Sequence, residues 1–403
     1  MKTKLSFRSL AMISTLFATP FAHAANYYWD TNSTGAGLGD TAGTWGTSTF
    51  LGTVSSAAVL NGTASTANTA TNNADAIYFG TNNLALGSTA STIGIVGTNV
   101  TINTIVFGSG QASQGVTLSS GGGSIALAGN APSASPTITA NNNGTNTVAA
   151  VLTGTVGMVK GGAGSLTLTA SNSFTGGLTI AGGGTLQVGN GSSGSLASQA
   201  LTFNNGSGVF NVQAAGSGST QAMGALTFST TGAGEGRVQS TYGSSGNAAL
   251  SFTSLAARGA GAVGNFVISG GSNGTTNKIS ITGATSGILL NRGLFFNGSS
   301  YAAYDAAGFV RAYGSGDTDF LSVGPGTDMG FPALTDNVAL TGSLTAQGDA
   351  AVNTINMGAH SIAMDASGFD LLLDTNGILS SGSGSATIGG GTTPRLRTST
   401  ISA

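Results

Sequence analysis

The sequence predicts an all-β solenoid, and three observations carry that expectation: abundant glycine, scarce charge, and an unbroken run of short alternating segments. Of 403 residues, 68 are Gly and only 24 carry charge, 11 Lys or Arg and 13 Asp or Glu. That is 6% charged, against ~25% in an ordinary globular chain. Disordered chains combine high charge with low hydrophobicity, but 40% of this chain is hydrophobic. Collagen needs Gly at every third position and abundant Pro, and six Pro are present. The absence of Cys removes disulfide scaffolds and thiolate zinc sites.

The segments come next. Asn99–Ile102, Thr104–Phe107, Gly115–Leu118, Ser124–Leu127, Thr137–Thr139, Ser165–Thr169, Leu178–Ile180 and Thr185–Val188 each alternate apolar and small polar residues. A period of two places one face of each strand in a core. Gly and Asn between them accept the positive φ that tight turns need. Asp305 to Val310 and Phe369 to Asp374 are the weak exceptions with a helical period. Spacing of ~8–12 residues alone fits a sandwich or barrel, yet nearly the whole chain continues in this way, too long for one sandwich. A stack of coils grows in one dimension and solves this. Outward Thr, Ser and Asn hydrogen-bond up such a ladder, where like charges would repel. Coils of roughly 20–25 residues would give about 16–18 turns and a rod on the order of 80 Å.

The first 24 residues read as a leader. Lys2, Lys4 and Arg8 precede the apolar run Leu10–Ala18, Pro20 breaks it, and Ala22-His23-Ala24 offers a small-x-small cleavage site. This is the three-part pattern of a secretory signal peptide cut after Ala24. The run is too short to span a bilayer, and no later stretch reaches ~20 apolar residues. Removal of the leader leaves eight basic and 13 acidic residues. Such a surface has no drive toward nucleic acid.

One block is more specific. Residues 154–189 contain Lys160, Gly162, Gly164, Leu166, Leu168, Asn172, Phe174, Thr175, Gly176, Gly177, Ile180, Gly184, Thr185, Leu186, Val188 and Gly189. In that order and spacing they resemble the autotransporter-associated β-strand repeat, also called the passenger-associated transport repeat. Ser165 and Phe174 depart mildly from its Thr and Tyr, and Gly182–Gly184 holds one extra Gly. Leu166, Leu168, Ile180, Leu186 and Val188 read as inward positions, Asn172 and Gly176-Gly177 as corners, and Phe174 as a ring stacked on a neighbouring coil. The flanks Tyr27–Asn32, Gly43–Trp45, Asp75–Phe79 and Tyr301–Tyr313 are similar to longer exported proteins with this repeat.

The resemblance implies a right-handed parallel β-helix whose repeat assists passage of a passenger to the cell surface. It divides the chain into a leader at 1–24, an N-terminal cap region at 25–75, a β-helix at 76–290 and a continuing solenoid at 291–403. Autotransporters typically finish in a membrane barrel with an aromatic last residue, whereas Thr400–Ala403 is still solenoid-like. The expectation is therefore a released passenger-like protein or the front of a longer one, with no barrel or anchor. Partners implied are an outer-membrane translocator and surface glycans or other cells.

Candidate chemistry is sparse. After the leader His360 is the sole histidine, in the ordinary turn sequence Met357–Ile362, without a nucleophile elbow. No phosphate-loop motif occurs. Asp317, Asp319 and Asp328 cluster, as do Asp365, Asp370 and Asp374. Asp at turns forms turns; such groups also serve Ca²⁺ or, with Arg311 near by, the paired-carboxylate chemistry of β-helix enzymes acting on polysaccharides. Trp29, Trp45, Tyr27 and Tyr28 either cap the core or stack on sugars. The reading is a non-enzymatic, cofactor-free, secreted or surface-displayed structural and adhesive element. Its alternatives are a polysaccharide lyase or glycosidase and a Ca²⁺-stabilised adhesin.

Overall fold

The computed structural model describes residues 26–29, 43–45, 51–52, 67–68, 71, 75–80, 92–108, 115–129, 135–204, 207–228, 234–366, 370–390 and 395–398. The leader, with Ala22 and Ala24, lies outside them. Among the described residues every regular element is a β-strand. The short alternating segments fold as expected, and Asp370–Leu379 is a strand where a weak helical period was read.

Two twelve-stranded sheets form the main body. In each, ten strands are stacked parallel and two pair antiparallel at one end. The first sheet climbs from Asn26–Trp29 to Asn277–Ile281, and the second from Gly43–Trp45 to Leu294–Phe296. A third, narrower face carries Val100–Ile102, Ser124–Leu127 and Val151–Thr153, then Ser171–Asn172 under Ser195–Leu196. The fold is a parallel β-helix. One coil of it is Met158–Gly161, Ser165–Leu168 and Ser171–Asn172. Alternation turns each inward residue onto the one below, so Leu166 sits over Asn146 and under Leu186.

The coil lengthens along the stack. Leu166 pairs with Leu186, but Val238 pairs with Phe266. Ser219–Phe228 and the three strands after it run eight to ten residues, and the third face merges into the first. Ten rungs at ~4.8 Å make a body on the order of 45 Å, shorter than the single rod expected from 20–25-residue coils.

Aromatic rings stack up the interior: Trp29 on Phe79 at 5.4 Å, Phe79 on Phe107 at 5.7 Å and Phe203 on Phe228 at 5.5 Å. Tyr27, Trp29 and Trp45 are buried in this core. They line its first coil and present no face to a sugar, whereas Tyr28, named with them, is half-buried and stacks on Tyr78 at 5.1 Å. Ala76–Phe79 pairs parallel with Asn26–Trp29 as the next coil.

The ladder is interrupted where 291–403 reads as continuous solenoid. Leu294–Phe296 pairs antiparallel with Ser300–Tyr304, which pairs antiparallel with Val310–Ala312. The Tyr304 hydroxyl accepts the Ile281 amide at 3.1 Å. That satisfies one amide at the end of Asn277–Ile281, the outermost strand of the first sheet; unpaired edge groups invite pairing with another chain. A second parallel stack then begins, with Phe320–Val323, Asn337–Leu340, Ala350–Asn356, Asp370–Leu379 and Arg395–Thr398 facing Leu344–Gln347, Ile362–Met364 and Ile388–Gly389. It has its own core around Val352, Ile355 and Leu371. A small cluster of Tyr301, Ala303 and Tyr313 joins the two stacks, and the Tyr301 hydroxyl donates to the Ile355 carbonyl at 3.4 Å.

Candidate functional site

The block singled out in the sequence occupies the middle of the tall stack. Leu166, Leu168, Ile180, Leu186 and Val188 all point into the core, at most 2% exposed. Phe174 is fully buried in the same core. The spacing fixes these positions because Ser165–Leu168 and Thr185–Val188 keep strict alternation and lie in register.

Lys160 sits among them. It belongs to Met158–Gly161, has the parity of Met158, and pairs with Ile138 below and Ile180 above. Its side chain therefore projects into the apolar interior and is fully buried. The Nζ donates to the Gly162 carbonyl at 2.8 Å and the Gly164 carbonyl at 2.6 Å. No carboxylate forms an ion pair with it among the described residues. A buried charge without a counter-ion favours its neutral form, and desolvation pulls the ammonium down to about 8. The lysine thus satisfies two turn carbonyls that point inward, where water cannot reach.

Glycines make room for this arrangement. A Cβ on Gly184 would lie 2.1 Å from the Lys160 Nζ and 2.2 Å from the Gly164 carbonyl oxygen. A Cβ on Gly164 would meet the Asn142 carbonyl oxygen at 2.2 Å. At the next corner Gly176 and Gly177 take φ of 90° and 100°, open to glycine at no steric cost. Thr175 accepts the Gly157 amide on its carbonyl at 2.8 Å, tying this corner to the turn before the lysine strand.

Amides carry the polar contacts between coils. Asn172 accepts the Leu152 amide at 2.9 Å and donates to Ala170 at 2.8 Å and Ser195 at 3.2 Å. Two coils are thereby riveted to a third at one corner. One coil below the lysine turn, buried Asn142 and Asn146 bond side chain to side chain at 2.6 and 3.1 Å. Two coils above Asn172, Gln221 accepts the Leu196 amide at 2.9 Å and donates to its carbonyl at 3.0 Å, as a paired strand would.

Residues 158–188 match the family model of the passenger-associated transport repeat. The chain carries this repeat. Its matched span begins on the lysine strand and ends on Val188, so the transport repeat is one whole coil plus two sides of the next. No curated protein and no solved structure matches the chain.

Outside the transport repeat, the aspartates do local work. Arg311 donates from Nε to Asp305 at 2.8 Å, and from Nη1 and Nη2 to the two oxygens of Asp317 at 2.7 and 2.6 Å. Burial pushes the Asp317 carboxyl up, but the Arg311 fork and the Gly314 amide outweigh it and hold it below its ordinary value. The Ala307 amide, with Arg311 behind it, does the same for Asp305. Asp328 and Asp336 accept the amides of Gly330 and Ala333 at 2.9 and 2.8 Å, as turn formers. Asp319 holds a positive φ of 59°, Asp370 pairs with Arg397 at 2.9 Å, and Asp365 and Asp374 lie in the second stack. Among the described residues no three acidic or histidine side chains gather where a metal ion could sit. Asp317, offered in the sequence as a catalytic carboxylate beside Arg311, is instead consumed by that arginine. His360 lies in the turn after Met357, whose carbonyl accepts its amide at 2.9 Å. No helix among the described residues is long and apolar enough to cross a membrane.

Alternation placed the hydrophobic positions of the repeat. The interior position of Lys160 and the Asn142–Asn146 pair were missed. Parity with Met158 was the available signal, masked because lysine scores as a surface residue.

Proposed function

We propose that the chain is the passenger-type part of an exported surface protein, acting as a non-enzymatic display element. Its outward Thr, Asn and Ser ladders and turn loops would meet glycans or neighbouring cells. The observation that carries this reading is the transport repeat itself, which lies in register inside a continuous parallel stack. A stack of this kind can add coils in sequence as the chain emerges, each new strand pairing only with the last. The leader at 1–24, cut after Ala24, would take the chain across the inner membrane and an outer-membrane translocator would take it further.

The test is the intact mass and N-terminal sequence of the native protein, measured separately in the medium and in the outer membrane. A species beginning at Ala25 in either fraction, degraded by protease added to whole cells or already in the medium, supports the reading. A protein retaining Met1 and protected inside intact cells overturns it.

A further inference from the structure

The far end of the tall stack holds a feature that export does not use. Arg258, Asn291, Arg292 and Leu289 line a cleft of about 400 Å³, closed on one side by Asn353 of the second stack. Arg258 donates from Nε to the Asn291 side-chain oxygen at 2.6 Å and from Nη1 to the Ala262 carbonyl at 2.7 Å. These bonds fix the guanidinium plane, and among the described residues Nη2 has no acceptor. A Cβ on Gly293 would lie 2.5 Å from the Arg258 Cζ, so the glycine is what lets the group rest against the turn.

Arg292 stands beside it, exposed. Among the described residues neither arginine forms an ion pair; only Arg311 and Arg397 do. Burial and the neighbouring Arg292 charge both work against the Arg258 cation. In a chain with 24 charged side chains in 403 residues, two adjacent cations without a carboxylate are an electrostatic cost. An anion would remove it, and guanidinium forks suit phosphate and carboxylate geometry.

The surroundings say what the rest of the ligand is. A second cleft of about 430 Å³ shares Leu289 with the first; Leu255, Ile288 and Leu290 line it together with Ser254, Thr282 and Thr285. A smaller one of about 150 Å³ shares Arg258 and Asn291 with the first and Leu255 and Leu290 with the second. Ile288 is 40% exposed. The first two clefts have no aromatic lining, and Phe228 in the third is buried, so a sugar ring lacks a stacking platform, whereas an alkyl chain finds Leu255, Ile288 and Leu290. We propose that this junction binds an amphiphile, its anionic head on Arg258 and Arg292 and its alkyl body along Leu255, Ile288 and Leu290. The inference stands on this geometry and is independent of the export reading.

Calorimetric titration of the full chain at low salt tests it, with hexyl phosphate, inorganic phosphate and hexanol as probes. Hexyl phosphate binds more tightly than either of the others, and added salt weakens it. Arg292→Gln weakens it about tenfold, the loss expected for one charged hydrogen-bonding partner. Ile288→Ser weakens hexyl phosphate and leaves inorganic phosphate unchanged. Both positions are exposed, and unchanged thermal melts show that the variants fold. Absence of hexyl phosphate binding, equal affinity in Arg292→Gln, or inorganic phosphate binding as tightly as hexyl phosphate each overturns the proposal.

Discussion

The coils of the transport repeat and the coils of the second stack are built from the same strand alternation, yet they are held in different ways. In the repeat, Leu166–Leu168 stands over and under its neighbours without a break in register. Polar groups inside it are uncharged amides and one lysine on carbonyls. In the second stack the register shifts between Val352 and Thr354 and between Leu344 and Gln347. Large apolar groups also stay exposed there, Phe331 fully and Leu334 and Leu396 in part. Among the described residues, ion pairs appear only from the antiparallel strands Ser300–Tyr304 and Val310–Ala312 onward. The tall stack is thus fixed by interior complementarity, and the later part by surface pairing and a smaller core.

Core truncation should expose that contrast most strongly. Phe174→Ala removes a fully buried ring from the core of ten stacked rungs and should cost about 3–5 kcal/mol. Leu371→Ala, equally buried in the second stack, should cost about 2–4 kcal/mol. Calorimetry is expected to show two transitions, with Phe174→Ala lowering one and Leu371→Ala the other. A single transition moved alike by both variants would mean that the stacks unfold as one unit.

The connecting hairpin comes next. The Asp317 side chain is fully screened from solvent, and Arg311 is its charged partner through two N–H bonds. Arg311→Ala would strand that carboxylate and should cost about 2–3 kcal/mol. Because the folded carboxyl titrates below its unfolded value, the wild-type clamp contributes stability above pH ~4 and loses it as pH falls further. Acid melts should therefore separate wild type from variant at pH 6 and draw them together as pH falls below the unfolded value.

Glycine at a close approach is a third contrast. Gly184→Ala places a methyl against both the Lys160 ammonium and the Gly164 carbonyl; a loss of about 2–3 kcal/mol is expected, as for overpacking. Gly348→Ala, in the second stack, meets nothing within 4 Å and should stay within about 0.5 kcal/mol of wild type. Equal melting temperatures for the two variants would mean that the coil above the lysine is free to shift.

How far the sequence could be read follows from the same contrast. Period two revealed the strands because one face of each is core, and Leu166, Leu186 and Ile180 were legible for that reason. Tyr27, Trp29 and Trp45 were legible as core rings, since large rings at the start of a stack have nowhere else to go. Lys160 was picked out through its motif, but its interior place, signalled by parity with Met158, was masked because a buried ammonium needs the turn carbonyls of Gly162 and Gly164, which no side chain encodes. The first reversal, from Leu294–Phe296 to Ser300–Tyr304, was missed although it turns at Asn297-Gly298, whose φ values are 50° and 67°: Asn-Gly between apolar runs is a hairpin signal, hidden here among many other Asn and Gly turns. The Arg258–Arg292 cleft joins residues from two turns and a second stack, which spacing cannot bring together.

Lys160 itself gives a smaller effect with a distinctive sign. An unfolded lysine keeps its proton to about 10.4, whereas the folded one keeps it to about 8. Between those values the unfolded chain binds more protons, so stability should rise with pH, by roughly 2 kcal/mol. Below about 8 both states are protonated and the slope vanishes. Lys160→Met should abolish the rise. A wild-type melting temperature flat or falling from pH 8 to 10 relative to Lys160→Met would show that the ammonium is not desolvated.

The smallest effect belongs to the surface. Arg397 and Asp370 meet at 2.9 Å with side chains 50% and 34% exposed. Water and salt screen such a pair, and holding two flexible side chains together costs entropy, so exposed ion pairs contribute at most about 1 kcal/mol. Arg397→Ala should lower the second stack by less than about 0.5 kcal/mol, and 0.5 M salt should erase the difference. The strand Arg395–Thr398 still pairs with Asp370–Leu379 through its backbone, so the ladder, not the charge, fixes the last described rung. A loss above about 1 kcal/mol that survives salt would reverse that order and place the Arg397 stem, rather than the backbone, as what covers Leu371 and Leu373.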